Sequence, residues 1–368
     1  MINKTGYAMD EIFSELHMSR GVRQVSFLFD LLNKNEIKTD EVDCVSARIS
    51  YGENRAVMGS AMFEIKAGWR RRIDFFSDKL QPWFILHMPK GGTVEWPLGV
   101  FLLESPRYRG PNKTMKIGAY DKTFILEQDR FTRRFFISKG TPLISVIERI
   151  LSTAGIHFSN IQQNPMVFTA DLEYPKGMKK RDAVNEILRM LNYTPIYADE
   201  AGRLCAYNFT DPADRRVDLS YASGPGGVIK PELTESMDFS GRANVFTRVA
   251  LNIDRQELSS TYTNDNPLHP LSTLRRGRSI VDFAEMDYIP DQGALDALTR
   301  REAVEGSGAG VSINFQTPLM PGHGCFKLLF LNVPEVLDSP AKFIETAWDM
   351  ELGRGGTMTH EAKKVVRL

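Results

Sequence analysis

One segment, residues 141–209, combines two amphipathic helices with a short hairpin, and it constrains the fold more than any other part of the sequence. The first helix is predicted to begin at Thr141-Pro142, a capping residue followed by proline, and to end at Gly155. Apolar residues at helical spacing predict a second helix over 183–191. Two short strands around a turn at Gly202 come next. A compact α/β unit of this kind, set between two strand-rich stretches, is typical of a scaffold rather than an enzyme.

The stretches on either side of this unit are predicted to form short β-strands separated by turns. Alternate apolar residues from Val25 to Leu31 form one face of the first of them. Further strands are predicted at 42–51, 62–65, 73–76, 83–88, 100–104, 114–120, 242–253, 311–315, 326–331, 342–352 and 358–366. Short helices are predicted after Asp10 and after Asp291, which can serve as caps. The fold class is therefore α+β, mainly β, and the spacing of the strands favours a sandwich or barrel.

The composition excludes several classes of protein. The 368 residues suffice for two or three domains, with hydrophobic residues at 42% and charged residues at 25%, as in ordinary globular proteins. The 46 Lys and Arg residues balance 46 Asp and Glu residues, so the basic excess typical of nucleic-acid binding is missing. No stretch is long and apolar enough for a membrane span. The first residues lack the apolar core of a signal peptide. We expect neither membrane insertion nor specific nucleic-acid binding.

The three cysteines, Cys44, Cys205 and Cys325, lie far apart and form no CxxC pair. An odd number of cysteines argues against a disulfide framework. Reduced thiols are expected, as in a protein assembled in a reducing cytoplasm.

A metal site is the next possibility. His323-Gly324-Cys325 offers two ligands, and His87, His269 or His360 could supply others. Zinc sites use four ligands in paired spacings, and no second pair accompanies this one. We predict a turn entering a strand at 323–325 and no metal ligand.

The surrounding sequence argues against each candidate catalytic or cofactor motif. The glycine-rich stretch at 306–310 follows a predicted helix and lacks the Lys-Ser/Thr of a phosphate loop, and 224–227 is better explained as a linker. No nucleophile elbow is found. Four carboxylates can be nominated for a glycosidase, although their spacing favours none of them: Glu148, Glu173, Glu186 and Glu235. We predict no catalytic residue and no cofactor, with a carbohydrate-active enzyme on a β scaffold as the remaining alternative.

A long polar stretch at 254–278 is predicted to be a loop. It contains Pro267 and Pro270 and ends in a basic cluster. Basic clusters are most often solvated, but Arg is also enriched at subunit contacts. We predict an assembly arm here, with three candidate interface residues: Arg275, Arg276 and Arg278.

Taken in their order along the chain, these features resemble the baseplate hub proteins of bacteriophage tails, including contractile tails and phage-like particles. The α/β unit carries part of the resemblance, and the strand that begins with Arg242-Ala-Asn-Val carries another part. The segments that contribute are 141–151, 182–188, 197–204, 242–249, 319–324, 348–352 and 358–366. The resemblance therefore extends loosely over most of the chain.

The resemblance implies two tail-tube-like β-barrel or sandwich domains, at 1–133 and 217–368, with the small α/β insert at 134–216 between them. Three chains would then present six tube-like units, in a homotrimeric ring that joins a six-fold tail tube to a three-fold central spike. The implied function is that of a structural hub with no enzymatic activity. A related spike or injection-machine component is the alternative.

The resemblance also implies a location and partners. The implied location is the tail baseplate of a virion, after assembly in the cytoplasm of the host bacterium. The implied partners are the tail tube protein, the central spike protein, other baseplate proteins and the tape measure protein. Because the sequence ends directly after its strands, any peptidoglycan-degrading activity is expected to reside in a separate protein.

Overall fold

The computed structural model describes residues 1–17, 23–109, 113–251, 257–286, 289–306 and 310–368. The N-terminal strand-rich region also contains one α-helix and one 3-10 helix at Ala67–Arg71. Its elements are β1 (Ile2–Asn3), α1 (Met9–Leu16), β2 (Val25–Leu32), β3 (Lys38–Glu41), β4 (Cys44–Gly52), β5 (Gly59–Lys66), β6 (Lys79–His87), β7 (Thr93–Pro97), β8 (Phe101–Leu103), β9 (Arg107–Arg109) and β10 (Thr114–Asp121).

The α/β insert and the C-terminal strand-rich region follow. The insert contains α2 (Thr123–Gln128), β11 (Phe135–Ile137), α3 (Leu143–Thr153), β12 (Ser159–Ile161), β13 (Leu172–Tyr174), α4 (Lys180–Met190), β14 (Tyr197–Ala198) and β15 (Leu204–Ala206). The C-terminal region contains β16 (Leu219–Ala222), β17 (Thr234–Met237), β18 (Val245–Leu251), β19 (Glu257–Thr263), α5 (Thr273–Arg276), β20 (Val281–Met286), α6 (Gln292–Gly306), β21 (Val311–Pro318), β22 (Leu328–Asn332), β23 (Ala341–Leu352) and β24 (Thr357–Lys364). The predicted class, α+β and mainly β, is confirmed.

Both strand-rich regions belong to one continuous sheet. Its main strand order is β1-β7-β6-β8-β10-β5-β4-β23-β24-β21-β17. The two regions meet where β4 pairs with β23 in antiparallel register, with Gly52 opposite Ala347 and Ala47 opposite Leu352. Among the described strands, the sheet does not close into a barrel. Backbone hydrogen bonds and one core join the two strand-rich regions, and their division into two tail-tube-like domains stays a prediction.

Aromatic side chains fill the shared core. The ring of Phe63 on β5 is fully buried and makes edge-to-face contacts with Phe29 and Phe101 at centroid distances of 6.1 and 6.0 Å. Across the junction of the two regions, Tyr51 stacks on Trp348 at 6.1 Å. These contacts bury large apolar areas, which is the main favourable contribution to folding.

The insert has its own core, formed where α3 and α4 pack together with the short strands. This core begins at Leu126 and includes Phe131, and the predicted boundary at residue 134 stays a prediction. Its hairpin docks on the large sheet at Gly202, which has a φ of +78° and lies where a Cβ atom would be 2.6 Å from Val100. A glycine is therefore needed at this contact for both conformation and space.

The predicted loop at 254–278 is wrong for about half of its described length, which forms β19 and α5. Residues Glu257–Thr263 form β19, which pairs with β18, and β18 also pairs with β20. Helix α6 covers one face of this small sheet, where Leu258 packs near Leu295 and Leu298. The strand was missed because its other face carries only polar residues, so that its hydrophobic alternation is weak. Residues 254–256 lie outside the described residues.

A predicted strand at 73–76 is also wrong. The Asp74 side chain accepts hydrogen bonds from the Phe76 amide at 3.1 Å and from the Ser77 hydroxyl at 2.7 Å, which closes a turn. The Phe76 side chain is fully exposed. Local side-chain bonding of this kind competes with strand pairing.

We expect Phe63→Ala to lower the free energy of unfolding by about 3–5 kcal/mol, because it leaves a cavity among buried rings. Chemical denaturation followed by circular dichroism measures the change. The matched control is Met62→Ala on the same strand, whose side chain is 46% exposed. This control should change the free energy by less than about 0.5 kcal/mol. Equal effects of the two substitutions would contradict the assigned faces of β5.

Candidate functional site

The large sheet has a polar face that spans both strand-rich regions. A groove of about 730 Å³ lies on strands β4, β23, β24, β21 and β17. Within it, the Arg48 guanidinium donates to Asp349 at 2.6 Å, and the Ser50 hydroxyl donates to the other carboxylate oxygen of Asp349. Polar side chains from β21 and β24, such as Asn314 and Thr359, also line the groove. This polar face is an extended surface that carries both acidic and basic side chains rather than an enclosed pocket.

The main path of strands through the sheet ends at β1 and β17, and β3, β9 and β16 are further edge strands on its branches. Among the described strands, β17 pairs with β21 alone and β1 with β7 alone. At the end of β17, the Met237 side chain is 60% exposed. An edge strand presents unpaired N–H and C=O groups, which can pair with a strand of another chain.

The three candidate interface arginines differ in their contacts and in their exposure. Arg276 is tied down, because its guanidinium donates to the carbonyl oxygens of Arg242, at 2.7 Å, and of Phe239. The side chains of Arg275 and Arg278 are exposed. Arg276 therefore has a role within the chain, whereas the other two are available for contacts.

A buried polar network orders the segment that ends in these arginines. The Asn244 side chain is fully buried and donates to the carbonyls of Leu271, at 3.0 Å, and Arg278, at 3.1 Å. Its own oxygen accepts a hydrogen bond from the Ile280 amide at 2.8 Å. The segment from 264 to 280 is thus packed against its own chain, in contrast to the predicted extended arm.

Two of the histidines considered as metal ligands, His323 and His360, both contact a third residue, Glu345. His323, Glu345 and His360 are buried, and their donor atoms lie within 4.8 Å of one another. Glu345 was not anticipated as a partner. Little in the sequence marks Glu345, because the same strand also carries Lys342, Asp349 and Glu351. Cys325 does not belong to this cluster, and His87 instead pairs with Ser26 at 2.7 Å.

The thiols are poor nucleophiles. All three cysteines are free, as expected from their odd number and spacing. Burial raises the pKa of Cys44 to about 12 and that of Cys205 to about 11. Burial also raises the pKa of Cys325 well above its usual value. Thiolates, which carry out nucleophilic chemistry, are therefore scarce at neutral pH.

The nominated carboxylates are spread over different elements. Glu148 lies on α3 and Glu186 on α4 of the insert, Glu173 lies on β13, and Glu235 lies on the edge strand β17 of the large sheet. Glu173 is engaged by Arg134 at 3.0 Å. A glycosidase needs two carboxyl groups that face one substrate. The distribution of these four residues gives no support to that alternative.

Taken together, the sheet, the insert and the small covered sheet form a fold that is similar to those of solved bacteriophage tail proteins. The tail protein from Neisseria meningitidis MC58 is similar over 92% of this chain and 96% of its own length, with a TM-score of 0.65 and 10% identity. The 43 kDa tail protein of prophage MuSo2 from Shewanella oneidensis is similar over 92% of this chain and 98% of its own, with a TM-score of 0.60 and 12% identity. The resemblance inferred from the sequence is confirmed at the level of the fold.

A chain in the PdpA–VgrG complex of Francisella is also similar. The likeness covers 97% of this chain and 61% of the other, with a TM-score of 0.56 and 8% identity. No family model and no curated protein matches the sequence. In the parts of the chain that are described, no helix has the length and apolar character needed to cross a membrane.

We expect Asn244→Ala to increase the rate of trypsin cleavage near Arg275 by about tenfold, because three buried hydrogen bonds that order the segment are lost. Timed digestion followed by mass spectrometry measures the rate. Asp265→Ala, an exposed change in the same segment, is the control and should cleave like the parent. Rapid cleavage of the parent itself would instead support a free arm.

Proposed function

We propose that the protein is a structural baseplate hub of a phage or phage-like tail, forming a homotrimeric ring that joins the six-fold tail tube to the three-fold central spike. The observation that supports this most directly is the open-edged sheet, which combines two strand-rich regions and carries one continuous polar face. Three copies contribute six strand-rich regions, which is the number needed to match a six-fold partner. In a closed ring of this kind, edge strands that are unpaired in the single chain form hydrogen bonds with a neighbouring subunit.

Strand pairing at the exposed sheet edges holds the proposed ring together. Strand pairing across subunits replaces backbone–water hydrogen bonds by protein–protein ones and buries the exposed Met237 side chain. The exposed side chains of Arg275 and Arg278 remain candidate contacts at the rim of such an interface. A permanent assembly of this type buries roughly 2,000 Å² or more per interface.

The proposed partners are the tail tube protein, the central spike protein, other baseplate proteins and the tape measure protein. The proposed location is the tail baseplate of the virion, after assembly in the cytoplasm of the host bacterium. The polar face then lines the channel of the ring, where a surface of mixed charge and short hydroxyl side chains leaves passing molecules unbound.

The hub acts without chemistry of its own. The three thiols are held protonated by burial, and the nominated carboxylates lie on separate elements. The solved structures of similar fold that are named as tail proteins are consistent with a structural role. Hydrolysis of peptidoglycan by the pure chain would contradict this part of the proposal.

A spike or injection-machine component is the second candidate. The likeness to a chain of the PdpA–VgrG complex, which covers 97% of this protein, favours it. The two candidates differ in stoichiometry and position. Imaging of the assembled particle separates them, since a hub occupies a three-subunit ring at the end of the tube.

We expect Met237→Lys to weaken self-association by about tenfold or more, because a charge at a sheet edge opposes strand addition. Native mass spectrometry and analytical ultracentrifugation measure the distribution of monomer and trimer. The control is Leu268→Lys, an 85% exposed residue outside the sheet edges, which should associate like the parent. A parent chain that stays monomeric at high concentration and occurs in six copies per particle would rule out the trimeric hub.

A further inference from the structure

A fully buried cluster of titratable side chains connects the C-terminal strands to the loop that precedes β22. His323 lies in that loop, Glu345 lies on β23 where the strand has a bulge, and His360 lies on β24. The side chains of all three are completely inaccessible to solvent. A charge in such a place is costly unless it is neutralised.

Hydrogen bonds occupy every polar atom of these three side chains. Glu345 Oε2 lies 2.7 Å from His323 Nδ1, and Glu345 Oε1 lies 2.7 Å from His360 Nδ1. The outer nitrogen Nε2 of His323 is 2.7 Å from the Tyr221 hydroxyl. That of His360 is 2.9 Å from the Thr317 hydroxyl. Each imidazole is therefore held at both ends.

Counting hydrogens fixes the arrangement at His360. The Thr317 hydroxyl lies 2.8 Å from the Pro318 carbonyl, and with its one hydrogen donated there it accepts from His360 Nε2. A neutral imidazole protonated at Nε2 has a bare lone pair at Nδ1. That lone pair faces a carboxylate oxygen of Glu345 at 2.7 Å, and two acceptors at this distance require a proton between them.

The other side of the cluster needs no additional proton. With the Tyr221 hydroxyl donating to Nε2 of His323, the imidazole of His323 carries its single hydrogen on Nδ1. It donates this hydrogen to Glu345 Oε2. With one proton on the Glu345–His360 hydrogen bond, the whole cluster is electrically neutral and every hydrogen has an acceptor.

We propose that the cluster holds one shared proton, between Glu345 Oε1 and His360 Nδ1, and that this proton fastens the bulged strand β23 to β24 and to the loop of His323. Without it, the site would enclose an uncompensated carboxylate charge.

Among the described residues, the surroundings supply no net charge that could replace this proton. Lys327 and Arg23 are the cations near the cluster and its Tyr221 partner, and Glu200 and Asp218 are the anions. His17 stacks beside Tyr221, and burial lowers the pKa of its ring, which favours the neutral form. Two positive and two negative groups thus face the cluster from the loop, the N-terminal region, the insert and the chain before β16.

The direction of the pKa shifts agrees with a neutral cluster. Burial raises the pKa of Glu345 and lowers the pKa of His360. Burial lowers the pKa of His323 to about 3, so that its second nitrogen stays unprotonated at ordinary pH. A folded-state pKa of Glu345 above its ordinary value of 4.5 means that folding takes up a proton above that pH. The stabilisation is fully present below pH 4.5 and is lost progressively as the pH rises.

Glu345→Gln provides the test, because a glutamine amide copies the shared-proton pattern. Its N–H donates to His360 Nδ1 and its carbonyl accepts from His323 Nδ1–H, without any titrating proton. We expect the variant to fold. We also expect the ratio of the unfolding equilibrium constants, parent to variant, to rise about tenfold per pH unit between pH 5 and 7. Denaturation at fixed protein concentration measures this ratio.

The control is Glu361→Gln, whose exposed side chain follows His360 on β24. Its ratio to the parent should be independent of pH in the same range. A pH-independent ratio for Glu345→Gln, or a variant that does not fold, would overturn the proposal, since both indicate an ionised carboxylate that accepts from two imidazoles.

Two measurements on the parent chain complete the test. Nitrogen-15 NMR of labelled histidines should show the His360 ring protonated at Nε2 and unchanged between pH 5 and 7, and titration of this ring in that range would contradict the shared proton. Elemental analysis should find no stoichiometric metal in the purified parent. A bound metal ion at these three donors would replace the proton and overturn the proposal.

Discussion

The pairing of β4 with β23 is the constraint on which the rest of the structure depends. It converts two strand-rich regions into one sheet and brings Tyr51 onto Trp348 across the junction. The polar face exists only because of this pairing, since the ion pair of Arg48 with Asp349 joins strands from opposite ends of the chain. The insert then docks beside the junction, where the Gly99 amide donates to the Glu200 carbonyl at 2.9 Å.

The parts of the fold that depend on local sequence were predictable. Helical spacing located α3 and α4, and Asp291 caps α6, with its carboxylate accepting from the Ala294 amide at 2.9 Å. Alternation located strands with one apolar face, of which β2 is an example. These signals depend on residues that are close in sequence, and they carry little information about which strands become neighbours.

Features that depend on contacts between distant residues were not predictable, because local sequence signals do not identify those contacts. Nothing near Cys44–Gly52 in sequence indicates that β23 is its partner. The cluster of His323, Glu345 and His360 is assembled by three separate elements and is visible only in three dimensions. The sequence does not distinguish Arg275, Arg276 and Arg278. Of these three, Arg276 alone donates to backbone carbonyls that lie close to it in the fold.

The separation of β4 from β23 also has a consequence for synthesis. Arg48 and Asp349 lie 301 residues apart along the chain. At ribosomal rates of about 5–20 residues per second, roughly 15–60 seconds pass between the emergence of the two strands. During that interval β4 has β5 on one side and an unsatisfied edge on the other. The N-terminal region must therefore persist as an incomplete sheet, in which water satisfies the edge N–H and C=O groups of β4 until β23 is synthesised.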